Sequence, residues 1–527
     1  MIEFRGVTFG FQNAESPVIR RANFEVEAGE FVLVCGPTGS GKSTLLKLLN
    51  GLAPSFTGGD LSGSILIDGL EVVGKKPQEL AELVGYVNQQ PEGSFVADTV
   101  GEELAYGLEQ LGVSPAEMEA RVAEHAKLVG IQHLIDQPLG SLSGGQQQRV
   151  AIAAAMAAGQ KVLVLDEPTS ALDSGSAAEL VKLLATLAKS RGITVLLAEH
   201  RLERVLEHID SVIVVNGDSS VVKSSPETAF RDYRLLPPVV ELARKLKLTP
   251  LPLSIEDAKT RINSPIAFEA RVHPEVGDET LTVDNLSVDY GKHSAVQNVS
   301  LRAMAGEVVA LMGPNGSGKS SLLWAIQGSG ARSAGEVKTL SGDPQHISIN
   351  ERLEQITMVP QRASDLLFLN TLADELSESD TLNEVTQGET AKLFLQLSNR
   401  TDPKQHPRDL SAGQQLALVL SVQLVRGARL VLLDEPTRGL DYEAKRHLVS
   451  AIKLVQSSGR TVLVASHDIE FVAQIADRVY LLENGEITLE GDTVDVLGPA
   501  GKLPTQVAQI AAQPGLLLAE QVVAIEN

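Results

Sequence analysis

The feature that most constrains this chain is a single repetition over a very long period. GPTGSGKST at 36–44 returns as GPNGSGKSS at 313–321, and LVLDEPTSALD at 163–173 returns as LLDEPTRGLD at 432–441. The separation between matched landmarks drifts smoothly, from 277 residues at Lys42/Lys319 through 272 at Gln89/Gln361 and 268 at Asp166/Asp434 to 267 at His200/His467. Two copies of one domain with small insertions produce such a drift, whereas solenoid repeats recur every ~20–50 residues. The copies are placed at 1–230 and 280–495. A 231–279 linker with a short helix joins them, punctuated by Pro237, Pro238, Pro250 and Pro252. A similar stretch, KLPTQVAQIAAQ, lies in a 496–527 C-terminal segment. Each copy thus carries either a short helical appendage or ordinary linker packing.

Within each copy apolar runs alternate with helix-like stretches. FVLVCG (31–36), KVLVLDE (161–167) and ITVLLAEH (193–200) read as buried strands, with VVALMG (308–313), RLVLLDE (429–435) and TVLVASH (461–467) as their partners. This predicts an α/β fold: two tandem domains, each a mainly parallel sheet with ligands at the strands' C-terminal ends. The stretches between Gln89 and Ser143 and between Gln361 and Ser411 lack strand runs and read as helical insertions.

Both glycine loops fit G-x-x-x-x-G-K-[ST] between an apolar strand and a helix-like run, the setting a phosphate loop requires. Small residues let the backbone curl until successive N–H groups face a phosphate, and the helix N-terminus adds partial positive charge. Gly36, Gly39, Gly41, Lys42, Ser43 and Thr44 make the first cradle; Gly313, Gly316, Gly318, Lys319, Ser320 and Ser321 make the second. The lysines supply a cation, and Ser43 and Ser320 offer a hydroxyl to Mg²⁺. Asp166-Glu167 and Asp434-Glu435 end apolar runs, so each pair leaves the sheet together. The aspartates belong near the metal, and the glutamates are placed to polarise water. His200 and His467 end another strand, where an imidazole can reach the γ-phosphate and the attacking water. Cys35, on the strand before the first loop, reads as a small buried hydrophobe rather than a reactive thiol.

Composition narrows the setting. With 45 Lys+Arg against 67 Asp+Glu among 527 residues, the net charge is −22. A protein whose main task is gripping nucleic acid would want a basic face, so no nucleic-acid partner is expected. One cysteine excludes an internal disulfide framework and a four-cysteine zinc site. The N-terminus lacks a secretory pattern and no run reaches 18 uninterrupted apolar residues. A location at the cytoplasmic face of the membrane, held there by membrane partners, is the expectation.

At this point both copies resemble ATP-binding-cassette ATPases over roughly 430 of the 527 residues. LSGGQ at 142–146 and LSAGQ at 410–414 resemble the family signature, Gln89 and Gln361 its glutamine loop, and SALD (170–173) and RGLD (438–441) its D-loop. Phe11 and Tyr290, 31 and 29 residues before the loop lysines, stand where the family stacks adenine. Phe9 is near Phe11, and either ring also fits a place in the core. The resemblance implies ATP and Mg²⁺ as ligands, with Ser43, Gln89, Asp166, Ser320, Gln361 and Asp434 around the metal. It also implies composite sites, one joining the first copy's loop to Ser411 and Gly413, the other joining the second copy's loop to Ser143 and Gly145. Ala412 stands where the first copy has Gly144, and its methyl is expected to crowd one phosphate approach. Leu416 and Ala417 replace Gln148 and Arg149.

NGLAPSFTGGDLSGSILIDG at 50–69, AEHRLERV at 198–205 and the LPPVVELA appendage are similar to tandem ATPases of energy-coupling-factor importers, which take up vitamins, vitamin precursors and transition metals. The implied partners are a transmembrane coupling subunit and a small membrane substrate-binding subunit. Two other layouts share the motifs: the tandem ATPase of a sugar-type importer, usually with one degenerate site, and the ribosome-associated tandem-cassette translation factors.

Overall fold

Five-residue runs of valine, leucine and isoleucine without a polar break are best housed in the middle of a sheet covered on both faces. In the computed structural model, which describes residues 1–12, 14, 16–170, 172–233, 236–262, 264–271, 276–398 and 401–523, that is where they lie. The chain divides into two units, Met1–Pro237 and Pro238–Asn527.

In the first unit Val221–Ser224, Ser211–Val215, Phe31–Cys35, Thr194–Ala198, Val162–Asp166 and Val84–Val87 lie side by side in that order. All neighbours are parallel except the Val221–Ser224 edge. The second unit repeats the order with Glu486–Asp492, Arg478–Glu483, Val308–Met312, Thr461–Ala465, Leu430–Asp434 and Ile356–Val359, again antiparallel only at the Glu486–Asp492 edge. Each unit is a tandem-repeated α/β domain on a largely parallel core, as the apolar runs predict.

An antiparallel sheet completes each unit, and the sequence reading did not include it. Ile19–Val26, Ile2–Gly10, Asp60–Ile67 and Leu70–Glu71 form the first, and His293–Met304, Glu279–Tyr290 and Ala334–Thr339 the second. The helix after each phosphate loop, Lys42–Leu49 or Lys319–Gln327, is packed between the two sheets. Leu45, Leu46, Leu48 and Leu49 touch a cluster containing Phe4 and Ile65 from one sheet and Val32 and Val164 from the other. This clamp fixes the loop that precedes the helix.

The stretches between glutamine and signature are helical, as expected. Val100–Gln110 and Pro115–Leu128 form the first insertion, Leu372–Leu382 and Glu389–Leu397 the second. Thr99 and Glu102 close the first with a capping box, and Thr371 accepts from Asp374 N to cap the second.

The proline-punctuated stretch after Pro237 folds as part of the second unit. Its helices Pro238–Lys245 and Ile255–Arg261 pack with Gln506–Ala511 and the short turn at Ala519–Gln521. The Gln513 side chain accepts from Ile266 N at 2.7 Å and donates to Ile266 O at 3.0 Å, imitating a strand partner. Arg271 donates to Ala473 O and Ile475 O at 3.0 and 2.9 Å, satisfying carbonyls at the end of the Ile469–Ile475 helix. Leu242 is fully buried. Leu242→Ala should therefore destabilise the second unit by about 2–5 kcal/mol, the usual cost of a buried leucine cavity. Urea unfolding followed by hydrogen exchange should show the loss in residues 238–523 and not in residues 1–230.

Candidate active site

The two phosphate loops are built alike, and their glycines are there for steric reasons. Gly36 and Gly313 both have φ of 154°, and a Cβ added to them would lie 2.1 Å from Val215 O or Leu482 O. Gly41 and Gly318, in the left-handed region at φ 104° and 103°, start the following helices. Gly39 and Gly316 sit in open space and are needed only for their positive φ of 78° and 79°. Gly36→Ala or Gly313→Ala is expected to abolish ATP binding at the altered copy, measured by calorimetric titration with circular dichroism confirming the fold.

Each loop folds back on its own lysine. Lys42 Nζ donates to Gly36 O and Pro37 O at 3.0 and 3.1 Å, and Lys319 Nζ to Gly313 O and Pro314 O at 2.8 and 2.9 Å. Next in each helix, Ser43 Oγ donates to Asp166 Oδ1 at 3.0 Å, and Ser320 hydrogen-bonds Asp434. Thr44 is buried and Ser321 half-buried one residue further on.

The paired acids diverge. Asp166 and Asp434 end their strands buried, and burial raises both carboxyls above the usual aspartate range, with the neighbouring glutamate charge adding to it. Glu167 and Glu435 then enter the left-handed region at φ 50° and 47°. Two non-glycine residues holding that costly conformation at matched positions mark a geometry the fold maintains for use.

Around the glutamates the copies differ in detail. Glu167 accepts from Gln89 Nε2 at 3.0 Å through Oε2, while its Oε1 lies 2.7 Å from His200 Nε2. Glu435 Oε2 lies 2.8 Å from His467 Nδ1 and its Oε1 3.5 Å from Lys319 Nζ. Burial raises the Glu435 carboxyl, but the His467 bond and charge and the Lys319 charge outweigh it, so it stays below its ordinary value. Both imidazoles thus face a carboxylate, through opposite ring nitrogens. Gln361 is exposed and is not bonded to Glu435, so the structure joins Gln89 to its glutamate but not Gln361.

Two further contacts were not read from the sequence. Tyr86 donates to Asp166 Oδ2 at 3.3 Å, where the second copy has Met358. Gln148 Nε2 reaches Gln89 O at a long 3.5 Å, tying the signature helix to the glutamine loop; Leu416, its counterpart, is buried in the apolar core. Only the hydrophobic pattern broken by Gln148 could have flagged it.

The signature serines cap helices. Ser143 Oγ accepts from Gln146 N at 3.4 Å and Ser411 Oγ from Gln414 N at 3.3 Å, each reciprocated by the glutamine side chain. Gly145 and Gly413 face Ser176 and Ala444 of the next helix, and a Cβ at Gly413 would lie 2.7 Å from Ala444 Cβ. The Ala412 methyl is exposed, and at the matched position of the first copy a Cβ at Gly144 would meet only Leu172 Cδ2 at 3.7 Å. Of SALD, Ala171 lies outside the described residues; Asp173 and Asp441 cap the helices that follow. Phe9 is fully buried and Phe11 stands on it edge-on at 5.2 Å, exposed like Tyr290.

Residues 19–170 and 296–438 match the ABC transporter family. A putative ABC transporter ATP-binding protein of Streptomyces avermitilis is 38% identical with 99% of each chain covered, and another from Streptomyces coelicolor is 39% identical over the same shares. The chain belongs to the ABC transporter family. It is accordingly an ATP-hydrolysing enzyme with two ABC domains. Its fold also resembles a chain in the structure described as a model of ribosome-bound archaeal Pelota and ABCE1, with a TM-score of 0.62 and 22% identity over 92% of this chain and 79% of that one.

That likeness corrects one expectation. The acidic balance and the importer resemblance led to membrane partners with no nucleic acid, yet an ABC chain of the same tandem layout is found on the ribosome. Net charge is a sum over the whole surface and does not exclude a local face for an RNA-rich partner.

The ABC sites suit a nucleotide and its metal. Each loop holds a buried hydroxyl without a hydrogen-bond partner, Ser40 Oγ or Ser317 Oγ, and Asp434 Oδ1 is likewise unpartnered. Among the described residues no cluster of three or more histidine, cysteine, aspartate or glutamate side chains could hold a metal. One serine and one aspartate per site fit Mg²⁺, which commonly takes one or two carboxylates and completes its shell with phosphate and water.

Proposed function

We propose that this ABC protein is the ATP-hydrolysing, energising subunit of a membrane importer of the energy-coupling-factor type, serving a vitamin, a vitamin precursor or a transition metal ion. The observation that carries the reading is the paired constellation: lysine, serine, aspartate, strained glutamate and histidine converge in both copies. A sugar-type tandem importer usually has one degenerate site, which fits this chain less well. The Streptomyces relatives named as transporter ATP-binding proteins, matched over their whole length, support transport as the coupled work. Among the described residues no helix is long and apolar enough to cross a membrane.

In each copy the lysine, released from its two loop carbonyls, binds the β- and γ-phosphates. The serine hydroxyl and the buried aspartate would hold Mg²⁺, which supplies positive charge to the phosphate oxygens. Glu167 and Glu435 polarise the attacking water, and the histidine beside each orients that carboxylate and steadies the γ-phosphate. Gln89 fixes the second oxygen of Glu167, and Gln361 is proposed to reach its site from the same place in the second copy. Ser143 and Ser411, at helix N-termini, are further phosphate donors with Gly145 and Gly413, and Phe11 and Tyr290 are the adenine-stacking rings.

Affinity purification of the tagged chain from native cells, with the detergent-solubilised membrane fraction and the ribosome fraction analysed separately, tests the coupling. Recovery with a multispanning membrane protein that raises its ATP turnover supports import. Recovery with ribosomes instead would replace it with the translation reading.

A further inference from the structure

We infer that Glu199 and Arg204 are positioning residues of the first copy, bracing the loop between Glu167 and Asp173 against the strand end that carries His200, and that the second copy works without this brace. The inference rests on the reading of Glu167 and Glu435 as the water-polarising carboxylates.

Glu199 follows the Thr194–Ala198 strand and is 2% exposed. A carboxylate is kept in such a place only when its oxygens are used, and these are. Oε2 accepts from Thr169 Oγ1 at 2.9 Å, while Oε1 accepts from the backbone N–H groups of His200 and Arg201 at 3.2 and 3.3 Å. Arg204 closes the circuit from the other side. Its Nη1 donates to Thr169 O and Thr169 Oγ1 at 2.7 and 2.8 Å, and its Nη2 reaches Leu172 O at 3.4 Å. Thr169 and Leu172 both lie on the loop that leaves Glu167, so one acid and one base fix that loop and the histidine backbone to each other. The strained turn at Glu167 lies two residues before Thr169.

The second copy keeps the threonine but replaces the acid and the base. In register with Glu199, Arg204 and Thr169 stand Ser466, Phe471 and Thr437. Ser466 Oγ accepts from Asp468 N at 3.1 Å, Phe471 is buried in the apolar core, and Thr437 Oγ1 is buried with no hydrogen-bond partner. A different ion pair, Lys445 Nζ to Asp468 Oδ2 at 2.7 Å, ties the Tyr442–Ser457 helix to the residue after His467 and does not reach the Thr437 hydroxyl. The two glutamates are therefore held in place by unlike supports.

The test uses the full chain and Mg·ATP hydrolysis in two backgrounds: Glu435→Gln, which leaves the Glu167 site to be read, and Glu167→Gln, which leaves the Glu435 site. Thr169→Val, which is nearly isosteric but removes the hydroxyl, and Glu199→Gln should each lower kcat about tenfold or more in the first background, because small misplacement of a reacting group is costly. KM for ATP should stay within about twofold. Thr169→Ser should restore the rate, and the loss in the second background should be at least about fivefold smaller. Equal losses in both backgrounds, a loss confined to the second, a rise in KM with kcat intact, or no loss would each overturn the inference. Thermal melting of every variant identifies one that fails to fold, in which case the Thr169 pair decides. Turnover by the Glu167→Gln, Glu435→Gln double variant would instead unseat the catalytic reading, independently of the brace.

Discussion

Replacing Glu167 and Glu435 together by glutamine is expected to lower ATP turnover about 10²–10⁴-fold, the range set by loss of a positioned general base, while ATP affinity stays within a few-fold. A carboxamide keeps the shape of both side chains. Its oxygen can still accept from Gln89 Nε2 in the first copy, and its amide can face the imidazole that now lies 2.7 or 2.8 Å from the carboxylate. What it loses is basicity. At neutral pH Glu435 is held ionised by His467 and Lys319 against its burial, so the wild-type group is ready to accept a proton from the attacking water and the amide is not. Rapid-quench turnover together with equilibrium binding of radiolabelled ATP separates the two effects. Near-wild-type turnover in the double variant would remove both glutamates from the chemistry.

The second large effect is the opposite one, in binding. Lys42→Ala and Lys319→Ala together are expected to weaken ATP about tenfold to a hundredfold or more, since charge-assisted bonds to a phosphate contribute roughly 1.5–3 kcal/mol each. Removal of Lys319 should have a further effect. Its Nζ lies 3.5 Å from Glu435 Oε1. Its removal deprives that buried carboxylate of a compensating charge, so the Glu435 pKa should rise. The sign for stability follows: a folded-state pKa below the ordinary value stabilises above the usual carboxylate range, and the contribution is lost as pH falls through the folded value. Lys319→Ala should therefore flatten the acid side of the second unit's stability profile. Calorimetric titration and urea midpoints between pH 3 and 7 check both. Unchanged ATP affinity in the double lysine variant would contradict the phosphate-loop assignment.

Much of this was legible because it is local. A phosphate loop must have glycine where the chain turns through positive φ or where a Cβ would lie 2.1 Å from another carbonyl, a parallel core strand must be apolar throughout, and a signature helix must begin with a capping serine. Those demands write themselves into short strings, and the strings recur in both copies. The antiparallel sheets left a weaker trace, since a half-buried strand needs only alternate apolar residues, as in Ile2–Gly10, and a bulge breaks even that. The glutamine positions show the limit from another side: Gln89 and Gln361 occupy matched sequence positions, yet only Gln89 bonds its glutamate.

By itself, then, the sequence determined the duplication, the two parallel cores and the chemistry offered at the ends of their strands, because each depends on neighbours along the chain. Only the tertiary structure decided which groups support that chemistry. Tyr86 against Asp166, Gln148 against the glutamine loop, Glu199 and Arg204 around Thr169, and the packing of 238–262 against 506–523 join residues distant in sequence. Desolvation makes such polar contacts selective, since a buried carboxylate or guanidinium persists only where its partners arrive from other elements. No local pattern encodes that arrival.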